Sequence, residues 1–209
     1  MEIKKNYYNF FDKKICINLE KRKDRLERSL QVFKNFNIDV EIFKAIDGNT
    51  LINPTITIPI GNYGLNKTSE KIFEECIELN INNVLIFEDD VELHDDFHLI
   101  LNQALNQLPE DWEMLYFGGN HIGGVIPYTN NLNKLLKTYA AHAFVINKNI
   151  FSIILDDLKK FTNLENDVIY SNLHSRGKSF VITPHIAWQR PDYSNIQNNY
   201  VNYDFLKYG

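Results

Sequence analysis

No apolar run in this 209-residue chain approaches the roughly 20 residues needed to cross a bilayer. The opening stretch MEIKKNYYNFFDKK has no apolar h-region, so no secretory signal is legible and a cytoplasmic location is expected. Cysteine is scarce. Cys16 and Cys76 each lie in an apolar-patterned segment without disulfide or metal spacing, and are expected to be buried thiols. A basic excess is also lacking: 22 Lys and Arg face 27 Asp and Glu, for a net charge of −5. That argues against a general nucleic-acid binder, most of whose affinity comes from positive charge, but leaves room for a local basic pocket. Neither Gly118-Gly119 nor Gly123-Gly124 leads into Gly-Lys-Ser/Thr, so there is no P-loop. Without repeats, linkers or low-complexity tracts, residues 1–209 read as a single domain. The sequon Asn66-Lys67-Thr68 has no leader before it and is expected to go unmodified.

What is present is an alternation of short apolar runs and amphipathic stretches. KICINL (14–19) reads as a strand, and residues 22–36 as a helix with Leu26, Leu30 and Phe33 on one face. VEIFKAI (40–46) reads as a second strand, broken by Asp47-Gly48. Residues 49–63, with Pro54, Pro59 and Gly61, read as a loop, and 67–80 as a helix. NVLIF (83–87) is apolar without alternation, as expected for a strand covered on both faces. Further strands are expected at 114–118, 139–146 and 179–183, with helices at 96–108, 148–160 and 165–175 and an irregular tail from 184. This order predicts an α/β fold with a mostly parallel central sheet, and ligands in such sheets bind beyond the carboxyl ends of the strands.

Glu88, Asp89 and Asp90 fall at such an end. Three adjacent carboxylates repel one another unless something offsets their charge. Hard divalent ions such as Mg2+ or Mn2+ do so, sharing one or two carboxylates with substrate phosphates. The competing interpretation is a solvated turn. An aspartyl phosphatase is disfavoured, because EDDVE lacks the first Asp of Asp-x-Asp.

Several motifs together resemble glycosyltransferase family 25, which holds lipooligosaccharide and collagen galactosyltransferases. Asn18, Leu19, Arg22, Asp24 and Arg25 in CINLEKRKDRLERS resemble its opening strand and helix. Ala45, Asp47 and Gly48 resemble its Ala-x-Asp-Gly, VLIFEDDVELHDDF its acidic signature, YFGGN the segment after the next strand, and PHIAWQRPDYSNIQ its closing Pro, Gln and Ser-x-Ile. The likeness spans roughly residues 14–197. Where the family has Gly-Cys and then Ser-His, this chain has Gly64-Leu65 and then Thr68-Ser69.

The resemblance implies a GT-A type, Rossmann-like domain. It implies metal-dependent, inverting transfer of galactose or glucose from a UDP-sugar to a hydroxyl of a glycan or polypeptide. Asp90 is then a metal ligand, with Glu88 or Asp89 acting through water or on the ribose, and His185 is a candidate to complete the shell. Asp47, beside Gly48, is placed for uracil or ribose, unless it only forms an Asp-Gly turn. Asn18, Leu19 and Thr68 belong to the donor side. Arg22 and Arg25 lie near the first helix N-terminus, where phosphates bind, or form a solvated face. Inversion needs a base on the acceptor. The resemblance favours Asp167 over Glu165, although both also suit a helix's first turn. Two rivals remain: a non-catalytic UDP-binding module, and a sugar nucleotidyltransferase, disfavoured because INLEKRKDR lacks glycines.

Overall fold

A strand that is apolar on both faces needs cover on both, and residues 84–87 receive it. The computed structural model describes residues 9–52, 55–194 and 199–208. Its first elements are β1 (Lys13–Asn18), α1 (Lys23–Asn35), β2 (Glu41–Lys44), α2 (Ile60–Glu78), β3 (Asn83–Glu88), β4 (Val91–Leu93) and α3 (Phe97–Gln107). The middle of the chain forms β5 (Met114–Tyr116), β6 (Asn120–His121), β7 (Val125–Pro127), β8 (Leu132–Leu135), β9 (Thr138–Tyr139), β10 (Ala143–Asn147) and α4 (Phe151–Lys160). α5 (Asn166–Asn172), β11 (Ser179–Ile182), β12 (Ala187–Gln189), β13 (Asp192–Ser194) and β14 (Asn199–Val201) follow.

Among the described residues, eight strands join in the order β2-β1-β3-β10-β5-β11-β8-β7. β1 pairs parallel with β2 and β3, and β5 parallel with β11, while β10 and β8 run against their neighbours. All strands but β10 and β8 therefore point the same way, so the expected mostly parallel α/β sheet is present. The pleat divides β3 between two cores. Leu85 and Phe87 pack with Phe33, Phe97 and Leu101 beneath α1 and α3. Val84 and Ile86 pack with Ile72, Phe73, Phe151 and Ile154 beneath α2 and α4. Burying each such side chain contributes about 1.5–3 kcal/mol. Cys16 and Cys76 are free and buried as expected, and burial pushes the Cys76 thiol up to about 12. Asn66 is also buried, its amide donating to the Leu164 carbonyl at 2.7 Å, so the sequon is closed to a glycan in the folded chain.

Three expectations need correction. α2 begins at Ile60 and not at 67, directly after Pro59. Gly61 and Gly64 suggest a loop locally, but close packing requires one of them. A Cβ on Gly64 would lie 2.5 Å from the Ile46 carbonyl oxygen and 2.6 Å from the Gly48 nitrogen. Both are backbone atoms and neither can rotate away. Gly64→Ala is therefore expected to lower stability by about 1–3 kcal/mol, the usual cost of overpacking. An unchanged urea midpoint would show that the α2 contact yields freely. The strand expected at 139–146 starts at Ala143, because Ala140 takes a left-handed backbone with φ of 65°. The described residues of the tail include strands: β12 pairs antiparallel with β4, and β13 with β14.

His142 is the core histidine that its strand pattern suggests, with Nε2 3.1 Å from the Ala187 carbonyl. His174 is 1 % exposed and neither ring nitrogen has a hydrogen-bond partner among the described residues. Burial holds its pKa down to about 4. A depressed folded pKa gives stability that is complete above the unfolded value near 6.5 and is lost as pH falls toward about 4. His174→Phe keeps the ring contact with Tyr116 and removes this loss. The variant should gain on the wild type by about 3 kcal/mol between roughly pH 6.5 and 4. Urea unfolding at stepped pH measures the difference, and parallel curves would contradict it.

Candidate active site

The carboxyl ends of β1, β2 and β3 open into a cleft of about 500 Å³. Such a position, beyond strand ends in an open α/β sheet, is where this architecture takes ligands. The loop after β1 contributes Leu19 and Arg22, the first turn of α1 contributes Arg25, and the loop after β2 contributes Asp47 and Gly48. Glu88, Asp89 and Asp90 project from the end of β3. Tyr139, Ala140 and the start of α5, with Glu165 and Asp167, also line the cleft.

Glu88 ends β3, and Asp89 and Asp90 form the link to β4. Their repulsion is offset mainly by Arg25, whose side chain is 11 % exposed. One terminal nitrogen of Arg25 lies 2.9 Å from Asp89 Oδ1 and 3.2 Å from Asp90 Oδ2. Its Nε lies 3.2 Å from Asp192 Oδ2. Asn18 Nδ2 donates to Asp89 Oδ2 at 2.6 Å. Burial nevertheless dominates. It raises the carboxyls of Glu88, Asp89 and Asp90 above the ordinary range, Glu88 most strongly, with the Asp90 and Asp89 charges adding to it. One oxygen, Asp90 Oδ1, is buried and has no hydrogen-bond partner among the described residues.

Those features bear on a metal. Glu88 and Asp90 offer hard oxygen donors, their charge is incompletely compensated, and one oxygen is uncommitted. The set fits Mg2+ or Mn2+ taking its other ligands from a diphosphate and water. It does not amount to a full cage: among the described residues, no three His, Cys, Asp or Glu side chains stand together as a metal-binding group. His185 is not part of it. Its Nδ1 lies 2.7 Å from the Leu206 carbonyl and its Nε2 2.9 Å from His121 Nε2. A carbonyl only accepts, so His185 Nδ1 carries the proton and its Nε2 accepts from His121. Both nitrogens are thus already committed.

Other expected donor-side residues divide into those facing the cleft and those behind it. Thr68 is behind it. Its hydroxyl donates to Gly64 O at 2.8 Å and accepts from Ile46 N at 2.9 Å, tying α2 to the loop after β2. Asn18 is 4 % exposed and supports the acidic turn from beneath. Arg22 faces the cleft, but its fork is bidentate to Asp24, both contacts 2.9 Å. Asp47 pairs with Lys21 and accepts from the Asn49 backbone at 3.1 Å, and the Lys21 bond leads the causes lowering its pKa. It is thus a turn cap as well as a cleft residue, and a nucleoside contact there requires Lys21 to give way.

Asp167 Oδ2 accepts from the Ala140 backbone N–H at 3.3 Å. The left-handed turn at Ala140 aims that N–H, the kind of local strain that clusters at functional sites. Burial raises the Asp167 carboxyl, and burial followed by the Asp167 charge raises Glu165. Gln189 was given no role from sequence, yet its amide donates to Glu88 Oε2 at 3.2 Å. Arg190 and Asp192 were missed too. The available signal was their position in PHIAWQRPDYSNIQ; what they touch depends on the β4–β12 pairing.

The family model described as Glycosyltransferase family 25 (LPS biosynthesis protein) matches residues 69–205. Procollagen galactosyltransferase 2 of Homo sapiens is 28 % identical over 129 residues, covering 52 % of this chain and 21 % of that protein. Inactive glycosyltransferase 25 family member 3 of Homo sapiens is 26 % identical over 133 residues, covering 54 % and 22 %. The matched stretch thus spans about a fifth of these curated relatives. Among solved structures, a glycosyltransferase involved in glycosylation of the major capsid of PBCV-1 superposes with a TM-score of 0.52 at 9 % identity, covering 81 % of this chain and 79 % of that one. At that identity the likeness bears on the fold alone, and it agrees with a GT-A-like architecture.

Proposed function

The chain belongs to glycosyltransferase family 25, and from that premise we propose that it transfers a hexose, galactose or glucose, from a UDP-sugar to a hydroxyl of a glycan or polypeptide, with inversion. The observation that carries this reading is one cleft lined both by the acidic turn Glu88–Asp90 and by the half-buried carboxylate of Asp167. A diphosphate leaving group and an acceptor base need such separate acids.

The hydroxyl oxygen attacks the anomeric carbon from the face opposite the diphosphate. Its proton passes to the Asp167 carboxylate while the bond from the anomeric carbon to the phosphate oxygen breaks and UDP departs. Burial raises the Asp167 pKa above the ordinary carboxylate value, which strengthens it as a proton acceptor. Turnover should rise with pH as this carboxyl ionises. Glu88 and Asp90 would hold a divalent ion, which supplies Lewis-acid neutralisation of the leaving diphosphate. Leu19 and Gly48 form the donor wall, and Arg25 keeps the acids from repelling one another apart.

A thermal-shift panel of UDP-sugars with and without Mn2+ tests the reading. The correct donor should stabilise the chain by about 2.7 kcal/mol at one hundred times Kd. No shift with any UDP-sugar in the presence of Mn2+ would overturn it. A second reading, a UDP-binding module without turnover, is favoured by one observation: Arg25 already pairs with two acids of the turn and partly offsets their charge. Donor binding without hydrolysis or transfer would support that reading instead.

A further inference from the structure

The backbone of the acidic turn is held from two sides. On one side, Ser29 of α1, fully buried, donates its hydroxyl to the Asp89 carbonyl at 2.5 Å. On the other, Arg190, directly after β12, donates a terminal guanidinium N–H to the same carbonyl at 2.7 Å. The Arg190 backbone N–H donates to the next carbonyl, that of Asp90, at 2.9 Å. A carbonyl that accepts from a hydroxyl and a guanidinium at once cannot turn its peptide plane. The plane in question joins Asp89 to Asp90, so its orientation sets the backbone position from which the Asp90 carboxylate is carried. That carboxylate carries the uncommitted oxygen.

We infer that Arg190 is the positioning residue that aims the acidic turn at the cation and diphosphate. This rests on the donor-binding reading above and adds a residue to it.

The surroundings of Arg190 favour positioning over direct contact with phosphate. The residue is 9 % exposed and does not line the cleft, unlike Arg22 and Arg25. Its ion-pair partners are Glu92, 3.5 Å from a terminal nitrogen, and Asp192, 3.9 Å from Nε, and its charge also acts to lower the pKa of Asp90. Nε itself has no hydrogen-bond partner among the described residues. A guanidinium that gives its close bond to a peptide carbonyl, although two carboxylates stand within reach, is organised around the turn. The pairing of Gln189 with Val91 sets this register, so β12 brings Gln189 to Glu88 and Arg190 to Asp89.

The test compares wild type with Arg190→Gln, Arg190→Lys, Ser29→Ala and the Arg190→Gln/Ser29→Ala pair. Calorimetry would follow UDP binding against Mn2+ concentration and without metal, and hydrogen exchange would follow residues 88–92 of the unliganded chain. Arg190→Gln should raise the Mn2+ needed for half-saturation by about 10–100-fold, the usual cost of losing a partner that orients a ligand. UDP affinity without metal should be unchanged, and exchange should quicken at 88–92 alone. Arg190→Lys should recover part of the loss, since an ammonium donates to one carbonyl without the planar fork. The double variant should cost less than the product of the single effects, because both donors hold one carbonyl.

Equal Mn2+ dependence in Arg190→Gln and wild type would overturn the inference. Equal loss of UDP affinity with and without metal would overturn it too, since Arg190 would then serve the phosphates or the fold at large. Should Arg190→Gln fail to fold, a folded Arg190→Lys with wild-type Mn2+ dependence overturns it as well. A wild type that binds UDP identically with and without Mn2+ removes the metal part of the functional reading, and this inference with it.

Discussion

Asp167→Asn lowers kcat by about 10²–10⁴-fold, the usual worth of a positioned base, while leaving UDP and Mn2+ binding at wild-type strength. In an inverting displacement the base stands across the sugar from the diphosphate, so it cannot belong to the acidic turn. Asp167 lies outside that turn, on a different element, the first turn of α5. Asparagine keeps the shape and an oxygen that can still accept from the Ala140 N–H. What it loses is the capacity to take a proton. The rising limb of the pH–rate profile, set in the wild type by a carboxyl that burial has raised, should vanish with it. Glu165→Gln should cost far less. Turnover measured beside UDP affinity separates the outcomes. Full activity in Asp167→Asn would remove it from the mechanism, and loss confined to Glu165→Gln would move the role two residues upstream. Loss of UDP binding in Asp167→Asn would place it on the donor side.

Asp90→Ala removes the Mn2+-dependent part of UDP affinity, by more than the 10–100-fold that losing an outer-shell partner typically costs. The unliganded chain should stay folded and be as stable as the wild type or slightly more so. Two effects oppose each other there. Arg25 loses one contact at 3.2 Å but keeps Asp89 and Asp192. Against that, a carboxylate whose folded pKa is raised by burial costs stability that builds as pH rises from the unfolded pKa to the folded one, and its removal is a gain there and above. Calorimetry with and without Mn2+ and urea unfolding of the unliganded variant check both halves. Wild-type UDP affinity in the presence of Mn2+, or an unfolded variant, would contradict the role of Asp90.

The residues that are legible and illegible in the sequence differ in a physical way. Val84 to Phe87 announce a strand buried on both faces, because apolar side chains without alternation must find two cores, and they do. The order of strands and helices, and acids at the end of β3, follow from such local patterns. They already place a ligand site at the carboxyl edge of the sheet. Side-chain period and strand polarity act within a few residues, so the sequence by itself determines them. The start of α2 is different. Gly61 and Gly64 weaken a helix locally, yet contact with Gly48 and Ile46 admits no Cβ at Gly64, a demand set by chain from another element. The same holds for what the site residues touch. Thr68 and His185 carry groups suited to a ligand, and only packing decides that Ile46, Gly64, His121 and Leu206 use them first. Arg25 meets the acids from α1, and Arg190 reaches Asp89 across about a hundred residues because β12 lies against β4. A residue's chemistry is written in the sequence. Its partner depends on register and packing between distant segments, and these exist only once the chain has folded.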